Sequence, residues 1–220
     1  MTLIFDNGVL LFRDGVLAKH EDCCCDEGDV CDLAQVVEWG LYPTGWGKVP
    51  GQAEANWTGG TTVVTSGVVW PIGTWAEPDP AEWLSKSHLP VFEAAQTWTM
   101  SLTFTLPAGV VGTWKFCCTY LADNVCNYAK LNGTQLHSCK ANCDPSLPPH
   151  EWACFTRDGS TAFWMDEPEL VTGANTLEFE LENCPLGGIP GASGGPMGFA
   201  AFFTCFAADT PEDEGHCGLF

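Results

Sequence analysis

The stretch that decides the fold is Gly173-Ala174-Asn175-Thr176-Leu177-Glu178-Phe179-Glu180-Leu181-Glu182-Asn183. A Gly-Ala-Asn turn feeds a strict alternation, with Leu177, Phe179 and Leu181 on one side and Glu178, Glu180 and Glu182 on the other. A period of two with one apolar side is the pattern of a half-buried antiparallel strand. Residues 97–106 repeat it: Trp98, Met100, Leu102, Phe104 and Leu106 alternate with Thr99, Ser101, Thr103 and Thr105. Between these two lie Leu121-Ala122-Asp123-Asn124, a strand end with a polar turn, and Leu131-Asn132-Gly133, a short strand closed by the Asn-Gly pair that favours two-residue hairpins.

Working outward, strands are expected over residues 61–70, 113–121, 128–131, 134–136, 161–165 and 197–207, with a strand or helical turn at 81–84. Many short strands separated by turn residues predict an all-β antiparallel sandwich or barrel. Upstream, Asp6-Asn7-Gly8 and Asp14-Gly15 punctuate short apolar runs and predict an N-terminal β-hairpin. Asp32 is placed to cap a short helix running to about Trp39, ended by Gly40 and Pro43. The expected organisation is an N-terminal β arm with a cysteine-rich linker over residues 1–60, a sandwich over 61–207 and an acidic, solvated tail over 208–220.

The order of pieces across residues 61–207 resembles the jelly-roll β-sandwich domains, galactose-binding-like in fold, of bacterial surface and phage virion proteins. The pieces are Trp83, Phe104-Thr105-Leu106-Pro107, Ala122-Asp123-Asn124, Asn132-Gly133, the 173–183 strand and Gly194-Gly195-Pro196-Met197-Gly198-Phe199. The cysteines, the insert at 138–151 and residues 1–60 depart from that pattern. The resemblance implies a domain that binds or builds rather than catalyses.

The chain carries 8 Lys and Arg against 28 Asp and Glu, a formal net charge of −20. Such a surface repels nucleic acids and anionic lipid, and no apolar run reaches the length that spans a membrane. The N-terminus lacks the basic and apolar regions of a signal peptide, so synthesis in a cytoplasm is expected. Thirteen cysteines then leave thiols, metal sites or disulfides formed after release; an odd number leaves at least one thiol free or paired between chains. A virion protein fits the last case, because it leaves its cell by lysis.

Candidate site residues fall in several groups. Cys23, Cys24, Cys25 and Cys31, with His20, suit disulfides or a covalent knot between subunits better than zinc, since three adjacent thiols do not converge on one tetrahedral centre. Cys117 and Cys118, adjacent in a strand, are expected to face opposite sides of the sheet. Cys139, Cys143 and Cys154 are placed to staple the insert, with zinc through His137 or His150 as the sharper alternative. Asp123 and Asn124 are calcium candidates, a hard cation preferring oxygen ligands, against the plainer reading of an Asx turn. Asp166, Glu167 and Glu169 form an acidic group that could be read as a glycosidase carboxylate pair or as a wet face. Trp75 and Trp152, in polar Pro-rich loops, are the candidates for stacking a sugar ring. Gly191-Ala192-Ser193-Gly194-Gly195-Pro196 matches a nucleophile elbow, yet a strand rather than a helix is expected after it, and none of His20, His88, His137 or His150 sits in a catalytic-base context.

The sequence therefore points first to a non-enzymatic structural subunit of a symmetric assembly, a virion or surface-layer component that contacts glycans and joins other subunits through residues 1–31. The alternative is a monomeric carbohydrate-binding or adhesion module, and the third is a serine hydrolase. No cofactor is expected apart from structural Ca²⁺ or Zn²⁺.

Overall fold

The computed structural model describes residues 11–13, 16–18, 30–59, 62–64, 81–85, 96–123, 125–137, 161–183, 198–210, 212 and 217. Its strands are β1 (Leu11–Arg13), β2 (Val16–Ala18), β3 (Trp57–Thr58), β4 (Thr62–Val64), β5 (Trp83–Ser85), β6 (Gln96–Leu106), β7 (Trp114–Asp123), β8 (Val125–Leu131), β9 (Thr134–His137), β10 (Thr161–Met165), β11 (Gly173–Asn183) and β12 (Gly198–Ala207), with one helix, α1 (Leu33–Glu38). β1 and β2 pair with each other across Asp14-Gly15 as a two-stranded sheet.

The other strands form two five-stranded antiparallel sheets, ordered β10-β7-β12-β5-β4 and β3-β6-β11-β8-β9. Four pairings are nested one inside the next: β5 with β12, β6 with β11, β7 with β10 and β8 with β9. A long hairpin of nested pairs, wrapped so that alternate pairs fall in opposite sheets, is the double Greek key of a jelly roll. The fold class expected from alternation is therefore the one observed.

The core lies between the sheets. Leu177, Phe179 and Leu181 of β11 and Met100, Leu102 and Phe104 of β6 meet Phe116, Cys118 and Tyr120 of β7 and Phe199, Ala201 and Phe203 of β12. Phe179 is its centre, with ring centroids 4.8 Å from Phe199 and 5.4 Å from Tyr120. Burying an aromatic side chain of this size stabilises by roughly 1.5–3 kcal/mol.

The two sheets differ on their outer sides. The β6–β11–β8 sheet keeps one wet side, with Thr97, Thr99, Thr103 and Thr105 exposed. β7 and β12 are buried on both sides: outward-facing Cys117, Thr119, Leu121, Ala200 and Phe202 are as hidden as their inward neighbours. We call these the wet sheet and the covered sheet.

Val36, Trp39, Leu41 and Trp57, from residues 30–59, pack into this core. Among the described residues β12 pairs with β5 at Phe199 opposite Leu84, and the rest of that edge takes other partners. Thr44 supplies one: its N–H donates to the Ala201 carbonyl at 2.9 Å, and its hydroxyl accepts from the Ala201 N–H at 3.1 Å and donates to the Glu82 carbonyl at 2.7 Å. Farther along, Val30 bridges Phe206, Cys31 N–H donates to the Cys205 carbonyl, and a disulfide joins Cys31 to Cys205. A bare strand edge invites pairing with another chain; here the chain's own residues 30–44 close part of it. α1 forms where expected, capped by Asp32 Oδ1, which accepts from Gln35 N–H at 2.8 Å. At its other end Leu41 N–H reaches the Val36 carbonyl and Gly40 N–H the Val37 carbonyl, a Schellman closure that uses the positive φ of Gly40. Trp57 of β3 then buries its ring against Phe199 and Phe203, with Nε1 donating to the Tyr42 carbonyl at 3.0 Å.

Two of the described residues beyond β12 are tied to the covered sheet. Cys217 is buried and bonded to Cys117, and Glu212 pairs with Lys115.

Candidate functional site

The wet sheet brings together side chains that the sequence keeps far apart. Alternation puts Glu178, Glu180 and Glu182 of β11 on its outer side. β8 lies beside them, with Lys130 opposite Glu178 and Tyr128 opposite Glu180. A register shift follows between Glu180 and Leu181, and Asn127 falls at this irregularity. Bulges redirect side chains in this way: Asn127 Nδ2 donates to Glu180 at 3.1 Å and to Glu182 at 3.2 Å. Tyr128 OH donates to Glu178 Oε1 at 3.3 Å, and Lys130 Nζ sits 3.9 Å above the Tyr128 ring.

Electrostatics follow from that placement. Burial, then the charges of Glu180 and Glu178 and their hydrogen bonds, push the Tyr128 hydroxyl up to about 12. Ionising it would set a phenolate among carboxylates, so it remains a donor at neutral pH. At the hairpin end a shallow depression of about 370 Å³ is lined by Lys130, Asn132, Gly133, Thr176 and Glu178. The strip thus offers an ammonium, a phenol, an aliphatic hydroxyl and carboxylates on a rigid sheet, a set suited to a ligand rich in hydroxyl groups.

The hairpin at that end is fixed by two asparagines. Asn132 and Gly133 both have positive φ, as the primed turn between β8 and β9 requires. Asn132 Nδ2 donates to the Glu169 carbonyl and to Asn175 Oδ1, and its Oδ1 accepts from Thr176 N–H. Asn175, buried, donates to the Val171 and Gly173 carbonyls and accepts from Val171 N–H.

The structure distributes the sequence-derived candidates as follows. Asp123 is the last residue of β7, buried and opposite Gly198, rather than a turn residue. Cys31, grouped in the sequence with a zinc or intersubunit set, is held within the chain by Cys205. Cys118 faces the core and Cys117 the outer side, as adjacency in a strand dictates. His137 stacks on Phe163 at 5.7 Å and meets Tyr120 at 6.0 Å, and burial lowers its proton affinity. Asp166 lies beside Glu212 and Lys115. Asn124, Trp75, Trp152, Ser193, Cys23, Cys24, Cys25, Cys139, Cys143, Cys154, His20, His88 and His150 lie outside the described residues. Among the described residues, no three His, Cys, Asp or Glu side chains cluster closely enough to hold a metal ion, and no helix is long and apolar enough to cross a membrane. Sequence reasoning missed Asn127, Tyr128 and Lys130; their only signal was the outward Glu row, which implies a facing strand without saying which.

Fold and site together define the class of the molecule, a disulfide-clamped jelly-roll sandwich with one polar face. No protein-family model matches the chain, and no curated protein matches it. Among solved structures it is similar to the beta-glucosidase from Kluyveromyces marxianus, with a TM-score of 0.36 and 13% identity, over 86% of this chain and 20% of that one. The chain thus spans about a fifth of that protein's length, and a likeness of this size carries no functional argument.

Proposed function

We propose that the chain is a non-enzymatic structural subunit of a symmetric assembly, of the kind that builds a phage virion or a surface layer. The observation that carries this reading is the β1–β2 ribbon, which among the described strands forms a sheet of its own. A two-stranded ribbon is marginal in water by itself, and β-addition to a second copy of the chain extends it. The Cys31–Cys205 and Cys117–Cys217 disulfides fit a final residence outside a reducing cytoplasm, and the excess negative charge argues against nucleic acid as the partner. Removing residues 1–29 tests the arm. The shortened chain is expected to sediment as a single copy while keeping one cooperative unfolding transition. A shortened chain that assembles as the full one does refutes the arm.

The second reading is a carbohydrate-binding module. The observation in its favour is the strip of Asn127, Tyr128, Lys130 and Glu178 on the wet sheet. A glycan array probed with the intact chain and with Tyr128→Ala separates the two readings. Binding that Tyr128→Ala abolishes supports this one, and no binding to any glycan removes it. Trp75→Ala and Trp152→Ala are the companion variants for the two loop tryptophans.

A further inference from the structure

The chain contains two Asn-Gly pairs, Asn7-Gly8 and Asn132-Gly133. The second closes the β8–β9 hairpin on the wet sheet, with φ 50° at Asn132 and φ 86° at Gly133. Both residues are exposed. Apart from its chain neighbours, no described residue lies within 4 Å of the place where a Gly133 side chain would begin. An asparagine before glycine has a nucleophile beside it. The next main-chain nitrogen, unshielded by any side chain, needs one new bond to the asparagine Cγ to close a five-membered ring.

The wet sheet restrains that side chain. Asn132 Oδ1 accepts from Thr176 N–H at 2.9 Å, and Asn132 N–H donates to the Thr176 carbonyl at 2.9 Å. Asn132 Nδ2 donates to the Glu169 carbonyl at 2.8 Å and to Asn175 Oδ1 at 2.9 Å. Asn175 is 1% exposed and is fixed in turn by Val171 and Gly173. Three hydrogen bonds thus hold the Asn132 carboxamide flat toward β11 and the loop before it. Closing the ring bends Cγ out of the plane in which those bonds are made, and expels Nδ2, the donor of two of them.

We propose that Asn132 is a site of spontaneous covalent modification, guarded in the closed hairpin by Asn175 and the Thr176 main chain, and converted to aspartate and isoaspartate when that end of the hairpin opens.

The reaction needs only base and water. Gly133 N gives up its proton and attacks Asn132 Cγ; the new N–C bond forms, the Cγ–Nδ2 bond breaks, and Nδ2 takes up the proton and leaves as ammonia. Water then opens the cyclic imide at either carbonyl. One opening restores the main chain with an aspartate side chain; the other leaves the main chain running through Cβ and Cγ, as isoaspartate. Either product replaces a donor of two protons by a carboxylate that only accepts. That carboxylate meets the Glu169 carbonyl and Asn175 Oδ1, both acceptors, so contacts that pinned the turn become repulsive. Isoaspartate also lengthens the backbone of a turn whose geometry is fixed by two residues. The new carboxyl joins Glu178 in lining the depression beside Lys130. Opening therefore permits the conversion, and the conversion keeps the hairpin end open.

The test follows the full chain in mildly alkaline buffer, folded and, in parallel, unfolded in guanidinium. Peptide mapping separates asparagine, aspartate and isoaspartate at each position. In the unfolded chain Asn132 is expected to keep pace with Asn7, the same dipeptide. In the folded chain it is expected to convert at least about tenfold more slowly, the order of the net worth of one such hydrogen bond. Folded Asn175→Ala is expected to recover most of that difference. Conversion of Asn132 as fast folded as unfolded overturns the inference. So does an Asn132 that stays intact in the unfolded chain while Asn7 converts, or an Asn175→Ala chain as slow as wild type. Should Asn175→Ala fail to fold, Asn132→Asp, one of the products, gives the second readout. It is expected to unfold at lower denaturant than wild type at neutral pH and to regain part of the gap in acid, where its carboxyl takes up a proton and donates again. A neutral-pH midpoint equal to wild type overturns the inference.

Discussion

Asn175 shows how much one side chain organises. It is 1% exposed and satisfies four hydrogen bonds, two to carbonyls of its own turn, one from Val171 N–H and one from Asn132. Asn175→Ala leaves those buried groups without their partner and is expected to cost about 2–4 kcal/mol, a network loss rather than a single bond. Urea unfolding checks this through a lower midpoint at unchanged slope. Tyr128 makes a second prediction. Its hydroxyl, raised to about 12, binds its proton more tightly in the folded chain, so its contribution is complete below the ordinary tyrosine pKa and is lost as pH climbs through about 12. Ultraviolet titration is expected to show a phenol step near that value which Tyr128→Phe removes. A Tyr128→Phe titration identical to wild type contradicts the Glu178 and Glu180 contacts. Turn residues such as Asn132-Gly133 were legible in the sequence because their conformation is local; the partners of Asn127 and Tyr128 were not, because strand pairing over some fifty residues leaves no local mark.

At the scale of elements, the strands that read best were those with one wet side. β6 and β11 alternate, so their bounds and their buried faces follow from period two. β7 and β12 were located, but Trp114–Asp123 and Gly198–Ala207 are buried on both sides, and a continuous apolar run does not say which side faces the core. The core contacts of residues 30–59 were not legible for a related reason. Thr44, Trp57 and Leu41 belong to loops and to short segments without periodicity, and their role is to close the β12 edge and the core beneath it. That role is testable at Thr44. Thr44→Val removes the hydroxyl that serves both Ala201 N–H and the Glu82 carbonyl, and an expected loss of about 2–3 kcal/mol follows from leaving both without it. A thermal melt showing no loss contradicts the view that this loop substitutes for a strand.

At the scale of the whole molecule, two disulfides tie the chain on either side of the sandwich to the covered sheet, Cys31 to β12 and Cys217 to β7. Cysteine count left thiols, metal sites or disulfides open and gave no connectivity, since spacing in sequence says nothing about which strands meet. Among the described residues the wet sheet keeps Thr97, Thr99, Thr103 and Thr105 exposed, and β1–β2 pairs only with itself among the described strands. This division of one clamped sheet, one polar sheet and one separate ribbon underlies the reading of an assembling subunit. The native mass of the intact 23.7 kDa chain, by light scattering across a concentration series with and without reductant, tests that reading most directly. The account predicts a closed multiple of the single-chain mass that persists on dilution, with residues 1–29 required for it. A single-chain mass at every concentration, oxidised or reduced, would contradict it.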